Sequence, residues 1–586
     1  MSSVPAISAD RLTARRLLFC GLVMGTIAGL MWLAFKALAP AGYDLFDVAL
    51  LICCALILPW AVIGFWNAAI GLVIMRKAVD PVAAVFPGAA AVASDMPITS
   101  SVAILVCIRN EPPPRVVRNL APMVEGLERA GVADRFHLYI LSDTTDLRTG
   151  MDEERQFAKL ALAWGGRIAV TYRRRAENTG FKAGNIRQFC ERYGPLHDFA
   201  VVLDADSVMP ASAVLRLVRV MQSEPMLGIL QALVVGLPVM SAFARIFQFG
   251  MRLGMRSWTI GSAWWQSDCG PYWGHNAAIR LAAFTTHCKL PVLPGGRDVL
   301  SHDQVEAALM RRGGYDVRVL PEEDLGWEEN PPTLLEFIRR DLRWCQGNMQ
   351  YWRFLVMPGL RMVSRMQLAL AIMMFVGSPA WIAILIIGTI AAARSPSFVD
   401  PFYGWTLLAA FLVMWFAPKI ATIVDVLCRP ALREAYGGAP RLLASVASEV
   451  VFFILLSPIQ WLAHTLLLIR LPFGFGVGWG AQARDEHTVP LARALLRFWP
   501  QTVVGLGSLT ILAMNNPAAI PVALLIAAGL ALAVPLAVVS AAPLVGRLML
   551  RLGLGRLPEE TQPPETLRAL TLPALTPQAR NRQRDA

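Results

Sequence analysis

Seven apolar runs, at about 17–35, 48–74, 367–391, 405–427, 446–469, 501–514 and 517–540, bracket a block in which the charged residues are concentrated. Such a chain cannot fold as one soluble globule, because ~20 consecutive apolar residues are enough to cross a bilayer core. Of its 586 residues 55% are hydrophobic and 16% charged, where a soluble domain carries about 25% charge. The 17 Trp and 26 Phe exclude a disordered chain, which lacks the apolar surface to collapse. The pattern predicts two transmembrane helices within 1–77, a linker over 78–100 and a cytoplasmic α/β domain over 101–330. It continues with an interfacial helix in 331–365, C-terminal transmembrane helices over 366–540 and a cytoplasmic tail over 541–586.

Charge next to the apolar runs sets the expected orientation. Arg11, Arg15 and Arg16 precede the first run, and Arg76 and Lys77 close the second. Positive flanks stay inside, so both the N-terminus and the central block are expected in the cytoplasm. Ala37-Leu38-Ala39 mimics a signal-peptidase site, but the preceding core exceeds the 7–15 residues of a signal sequence; an uncleaved anchor is expected. The run 446–469 carries Glu449, His464 and Ser457-Pro458. A buried unpaired carboxylate is costly in a bilayer, and reading this run as interfacial or re-entrant places every positive loop inside. Six crossings follow, with seven or eight as the alternative. The net charge of +12 does not form a stripe, so no nucleic acid is expected. The nine cysteines include no C-x-x-C pair and imply neither zinc nor a disulfide framework.

In the central block, Ser101–Ile108, Phe136–Ser142, Ile168–Arg173 and Phe199–Asp204 read as buried strands. Segments 115–130, 152–164, 182–193 and 211–223 read as the helices between them. Alternation of this kind predicts a mostly parallel sheet, whose ligands bind beyond the carboxyl ends of the strands. Asn110-Glu111, Asp143 and Asp204-Ala205-Asp206 all fall at such ends. Two carboxylates two residues apart can share a divalent cation that also holds phosphate oxygens, though a solvated turn uses the same pattern. Lys182-Ala183-Gly184-Asn185 brings an ammonium and a close backbone approach to an anion, or simply opens a helix. Arg340, Arg343 and Trp344 are spaced i, i+3, i+4 and share a helical face. That face suits diphosphate and sugar, and equally a membrane interface. Trp264, Trp265, Tyr272 and Trp273 precede Gly274-His275-Asn276; aromatic residues of this kind also gather at membrane interfaces.

In this order, Asn110-Glu111, Asp143, Lys182-Ala183-Gly184-Asn185, Asp204-Ala205-Asp206, His302-Asp303 and Arg340-Asp341-Leu342-Arg343-Trp344 resemble the motifs of inverting family-2 glycosyltransferases. Among these, the chain is most similar to the enzymes that make osmoregulated periplasmic glucans. The resemblance implies a glycosyltransferase A-type α/β domain inserted between transmembrane helices of a multi-pass bacterial inner-membrane protein. It implies UDP-glucose as donor, with Mg2+ or Mn2+, and a β-1,2-linked glucan as growing acceptor, built processively and coupled to export. It places Asn110, Glu111, Asp143, Lys182, Asp204, Asp206, Arg340 and Arg343 at the donor, with Asp206 and Asp204 as metal ligands. Asp303 is implied as general base; otherwise it would only cap a helix. Trp344, Trp273, Gly274, His275 and Asn276 are implied at the acceptor. Arg340 departs from the family's Gln, so that residue's role does not transfer. The stretch Phe475–His487, within a gating-like loop 472–490, resembles the donor-site loop of membrane cellulose synthases, with Gly476, Gly478 and Gly480 permitting movement. Membrane lipids, a periplasmic glucan-processing protein and acyl carrier protein are the partners implied. The alternatives are a cellulose-like or glycolipid synthase and a scaffold with a degenerate transferase domain. Retention of Asp143, Asp204, Asp206 and Asp303 together argues against the scaffold.

Overall fold

Between Val102 and Leu320 the chain alternates strand and helix as its residue pattern predicts. The computed structural model describes residues 7–40, 42–395, 397–478 and 484–571. Strands β1 (Val102–Ile108), β2 (Phe136–Ser142), β3 (Ala169–Arg174) and β4 (Phe199–Asp204) fall within a residue of their expected bounds. The helices Pro113–Arg129, Leu147–Trp164, Phe181–Arg192 and Ala211–Ser223 fill the expected intervals. Five shorter strands follow: β5 (Leu227–Ala232), β6 (Val235–Gly236), β7 (Ala277–Arg280), β8 (Asp316–Leu320) and β9 (Trp327–Glu328).

Seven strands form one sheet in the order β3-β2-β1-β4-β7-β5-β8, in which only β7 runs antiparallel to its neighbours. β6 and β9 pair separately. Side chains on the central strands, such as Ile104, Leu105, Val201 and Val202, have no exposure, as expected of a sheet covered on both faces. Register places Cys107 beside Asp204 and Ile108 beside Ser142. The carboxyl ends of β1, β2 and β4 are therefore level, and the loops carrying Asn110, Asp143 and Asp206 leave from one edge.

Around this domain, five helices among the described residues are long and apolar enough to cross a membrane: Ala9–Ala37, Leu45–Lys77, Met362–Arg394, Pro401–Leu427 and Ala439–Phe473. A sixth candidate is the pair Pro517–Ala531 and Ala533–Ser540, bent by 57°. The structure departs here from the expected interruption at Ser457-Pro458. Ala439–Arg470 is one continuous helix, and Glu449 is not alone in it. Lys419 donates to its carboxylate at 2.6 Å and lies 3.6 Å from the Phe453 ring centroid. Pairing removes much of the penalty on which the interfacial reading of 446–469 relied. The run 501–514 belongs to a helix, Leu491–Asn515, that is not among the candidate spans.

One long helix, Ala242–Gln266, ties the catalytic domain to these elements. It crosses Leu45–Lys77 through two glycines. A Cβ on Gly71 would collide with the Ser257 carbonyl, and one on Gly261 with the Asn67 carbonyl. Small residues let helix backbones approach this closely. Trp265 stacks on Phe19 at 4.4 Å and donates to Asn67 at 2.9 Å, and the Arg15 guanidinium lies 5.2 Å from the Trp264 ring centroid. These two tryptophans fix the domain to its N-terminal helices.

Candidate active site

At the carboxyl edge of the sheet, Lys182 is the hub. Its helix starts at Gly180, in the left-handed region (φ 71°), and Gly184 is required because a Cβ there would strike the Thr179 carbonyl. The tight start aims Lys182 across the site, where its ammonium pairs with Asp204 and donates to the Gly274 carbonyl at 2.7 Å. Burial works against the lysine's charge, but Asp204, with Asp303 more weakly, raises its pKa above the ordinary value. Asp204 is held below the usual carboxylate range: burial pushes it up, and Lys182, His275 and Arg484 outweigh that.

Gly274 has φ +79°, and a Cβ there would lie 3.4 Å from the Asp303 Cβ, 3.7 Å from the His302 ring and 3.9 Å from Lys182 Nζ. The missing side chain is what lets Lys182, Asp303 and the 273–276 loop converge. Asp303 opens the helix Asp303–Arg312 and accepts a long hydrogen bond from Ser301 Oγ at 3.4 Å. Behind it, His302 Nδ1 and Glu306 form a buried pair at 2.8 Å. The loop is held by Gln231, which accepts from the Trp273 N–H at 2.7 Å and donates to the His275 carbonyl at 2.9 Å. His275 Nε2 is 3.5 Å from Glu328, a carboxyl whose pKa burial raises against the pull of His275 and Arg340. Asn276 (φ 48°) is fully buried with both ends of its amide unpaired, and Tyr272 is likewise buried. The structure thus brings Gly274 and His275 to the cleft and places Asn276 beneath it.

Asp143 is buried and occupied. Arg175 donates to both carboxylate oxygens at 2.8 Å, and Asn185 donates to one at 2.7 Å. Sequence reasoning missed Arg175, although it closes the Arg173-Arg174-Arg175 run at a strand end. Asn110 (φ 58°) shapes the neighbouring loop by accepting from the Thr145 and Asp146 N–H groups at 3.1 and 3.2 Å.

Asp206 and Glu111 share one cation, Arg484, which pairs with Asp206 and lies 3.5 Å from Glu111. Burial raises the Glu111 pKa despite Arg484. The next two residues are also docked: Asp485 pairs with Arg115, and Glu486 accepts from the Ser241 N–H at 2.6 Å. Arg484 falls within Phe475–His487, the stretch that resembles a donor-site loop, but its pairing with Asp206 is not readable from the sequence. Gly480 lies outside the described residues; Gly476 and Gly478 lie within them.

The helix Leu334–Asn348 carries Arg340 and Trp344 on one face, with the guanidinium 4.7 Å from the indole centroid. Arg340 Nε is buried without a hydrogen-bond partner, as is Arg484 Nε, and burial lowers the Arg340 pKa. Arg343 is buried and Trp344 45% exposed. Asp341, between them, accepts from His464 Nε2 at 2.6 Å and Gln460 at 3.1 Å, and His464 Nδ1 contacts Ser378 Oγ at 2.9 Å. His464, a polar blemish in an apolar run, is thereby explained.

Residues 199–417 match the family model described as glycosyl transferase family group 2. Relatives named glucans biosynthesis glucosyltransferase H are similar over most of the chain. The protein from Cupriavidus pinatubonensis is 34% identical over 94% of this chain and 66% of its own length, so the chain spans just under two thirds of that relative. The Xylella fastidiosa protein is 33% identical over 93% of this chain and 89% of its own. The Caulobacter vibrioides protein is 34% identical over 88% and 80%. A mannosyltransferase from Pyrobaculum calidifontis, solved with GDP-Man and Mn2+, aligns at TM-score 0.38 and 17% identity over 62% of this chain and 99% of that chain. A mostly parallel α/β domain with its carboxylates at one sheet edge, flanked by apolar helices, thus coincides with similarity over most of the chain, and the chain belongs to the glucans biosynthesis glucosyltransferase H family of family-2 hexosyltransferases.

Proposed function

We propose that the chain transfers glucose from UDP-glucose to a growing β-1,2-linked glucan, processively, at the bacterial inner membrane with its catalytic domain in the cytoplasm. The observation that carries this reading is the convergence of Asp204, Lys182 and Asp303 around Gly274, with Asp206 on the same edge. In it Asp303 accepts the proton of the attacking hydroxyl as general base. Its place at the first turn of a helix suits an anion, and Lys182 orients the cleft by bridging Asp204 and the Gly274 carbonyl. Arg340 and Arg484, each with an unpaired buried Nε, supply fixed positive charge for the departing diphosphate.

A divalent ion fits this site. Asp204 and Asp206 offer oxygen ligands, and Asp206 already holds a cation, Arg484. Mg2+ is commonly held by one or two carboxylates plus phosphate and water, and this pair would serve in that way. When bound, the ion would neutralise the diphosphate.

The cytoplasmic placement has geometric support. Beyond one end of Ala439–Arg470, Tyr436 packs on Phe249 of the Ala242–Gln266 helix. Beyond the other, the Val477 N–H donates to Gln346 of the Leu334–Asn348 helix. Both ends meet the catalytic side, so this reading keeps the helix from crossing despite its length. Membrane lipids and, by resemblance, a periplasmic glucan-processing protein and acyl carrier protein are its partners.

Purified protein in detergent, given labelled UDP-glucose and Mg2+, should form a β-1,2-glucan identified by linkage analysis. A β-1,4 product would shift the reading to a cellulose-like synthase. Asp303→Asn should lower transfer by roughly 10²–10⁴-fold, the usual share of acid–base catalysis, while UDP binding is kept. Transfer that survived the substitution would remove Asp303 from the mechanism.

A further inference from the structure

Behind the Arg340 face, the Leu334–Asn348 helix borders a cavity of about 620 Å³ against the end of Ala439–Arg470 and the start of Leu491–Asn515. Its lining combines apolar residues, among them Leu342, Leu467 and Val477, with Arg339, Arg470 and Arg497. A second cavity shares Arg339 and Arg497 and adds Arg493, with Glu336 its one acidic lining residue.

Among the described residues, Glu336 is the one carboxylate that pairs with any of these cations. Arg339 reaches Glu336 only at 3.9 Å. Among the described residues, no carboxylate comes within ion-pairing distance of Arg470, Arg493 or Arg497, and their guanidiniums make no hydrogen bond. Four arginines from three helices line the two cavities. Crowding extends inward: burial first, then Arg339 and Arg340, push the Arg343 pKa down to about 10. The Val477 N–H on its wall bonds to Gln346 of the Leu334–Asn348 helix, so in the orientation proposed above the cavity lies on the catalytic side, beside the apolar helices. Cations next to apolar side chains at such a place match a phosphate joined to acyl chains.

We propose that this cavity binds an anionic phospholipid of the leaflet facing the catalytic domain, its phosphate held by Arg339, Arg470 and Arg497, with Arg493 in the adjoining cavity adding positive charge, and its chain lying along Leu342 and Leu467. The assignment is independent of the reaction catalysed. The wall residues Phe475, Gly476 and Val477 precede Arg484, so the lipid sits beside the segment that supplies a cation to Asp206.

Native mass spectrometry of the full chain in detergent supplies the test, with phosphatidylglycerol, phosphatidylcholine or inorganic phosphate added separately. Phosphatidylglycerol should be retained over phosphatidylcholine, and inorganic phosphate should not displace it. Each cation near an anionic lipid contributes about a fivefold factor, so Arg470→Gln/Arg497→Gln should weaken retention roughly twenty- to thirtyfold, with Arg470→Lys/Arg497→Lys in between. A control pair in the tail helix, Arg547→Gln/Arg551→Gln, should leave retention unchanged. Gel filtration identifies variants that fail to fold, and the Lys pair then carries the test. Equal loss from both Gln pairs would reduce the effect to general attraction and overturn the site. So would equal retention of the two lipids, or displacement by free phosphate.

Discussion

Arg484 sits on Asp206 and Glu111 as a divalent ion would, and one cation excludes another from the same carboxylates. Replacing it with Gln should therefore tighten Mn2+ binding in the absence of nucleotide by about tenfold, the factor for one lost competing charge worth about 1.4 kcal/mol. Electron paramagnetic resonance of free Mn2+ reads this directly; unchanged affinity would mean that Asp206 is not the ion's ligand. The His302–Glu306 pair makes a second statement at this scale. His302 has a raised pKa, since Glu306 and Asp303 outweigh burial and the opposing Lys182 charge. A raised pKa in the folded state stabilises below the unfolded value of about 6.5 and loses that contribution as pH climbs through the folded value. The melting temperature in detergent should thus fall between neutral and mildly alkaline pH, and His302→Gln should flatten that fall.

At the scale of elements, the Leu334–Asn348 helix is held to its neighbours by Asp341. Asp341→Ala leaves the His464 and Gln460 donors buried without an acceptor, at about 1–3 kcal/mol for each. The expected result is a lower melting temperature and weaker donor binding through a displaced Arg340, measured by UDP titration. The glycine crossing is as exacting. Gly71→Val or Gly261→Val must force the helix backbones apart, and either should abolish stable expression, where Gly64→Val, with open space around it, should not. The sequence made the first four strands legible because their apolar runs end in polar residues. It did not reveal β7, a four-residue strand running against its neighbours, since nothing local records direction. The same limit hid Arg175 and Arg484: a pairing made across 32 or 278 positions leaves no spacing to read. The pairing of Glu449 is equally illegible, its partner Lys419 lying on another helix.

For the molecule as a whole, the proposed orientation requires the segment after Ala439–Arg470 to face the catalytic side. Phe475→Cys, exposed in the structure, should react with a membrane-impermeant maleimide in inverted vesicles and not in intact spheroplasts; the reverse pattern would demand another crossing. The clamp between the two glycine-bearing helices has a mechanical meaning as well. With backbones in contact at Gly71 and Gly261, and Trp265 wedged between Phe19 and Asn67, the head is clamped at this crossing. In the proposed processive reaction, a growing polymer would slide past a domain clamped in place, as wire passes through a die. Each advance is then set by the size of one sugar unit, and the stroke belongs to the product, not to the domain.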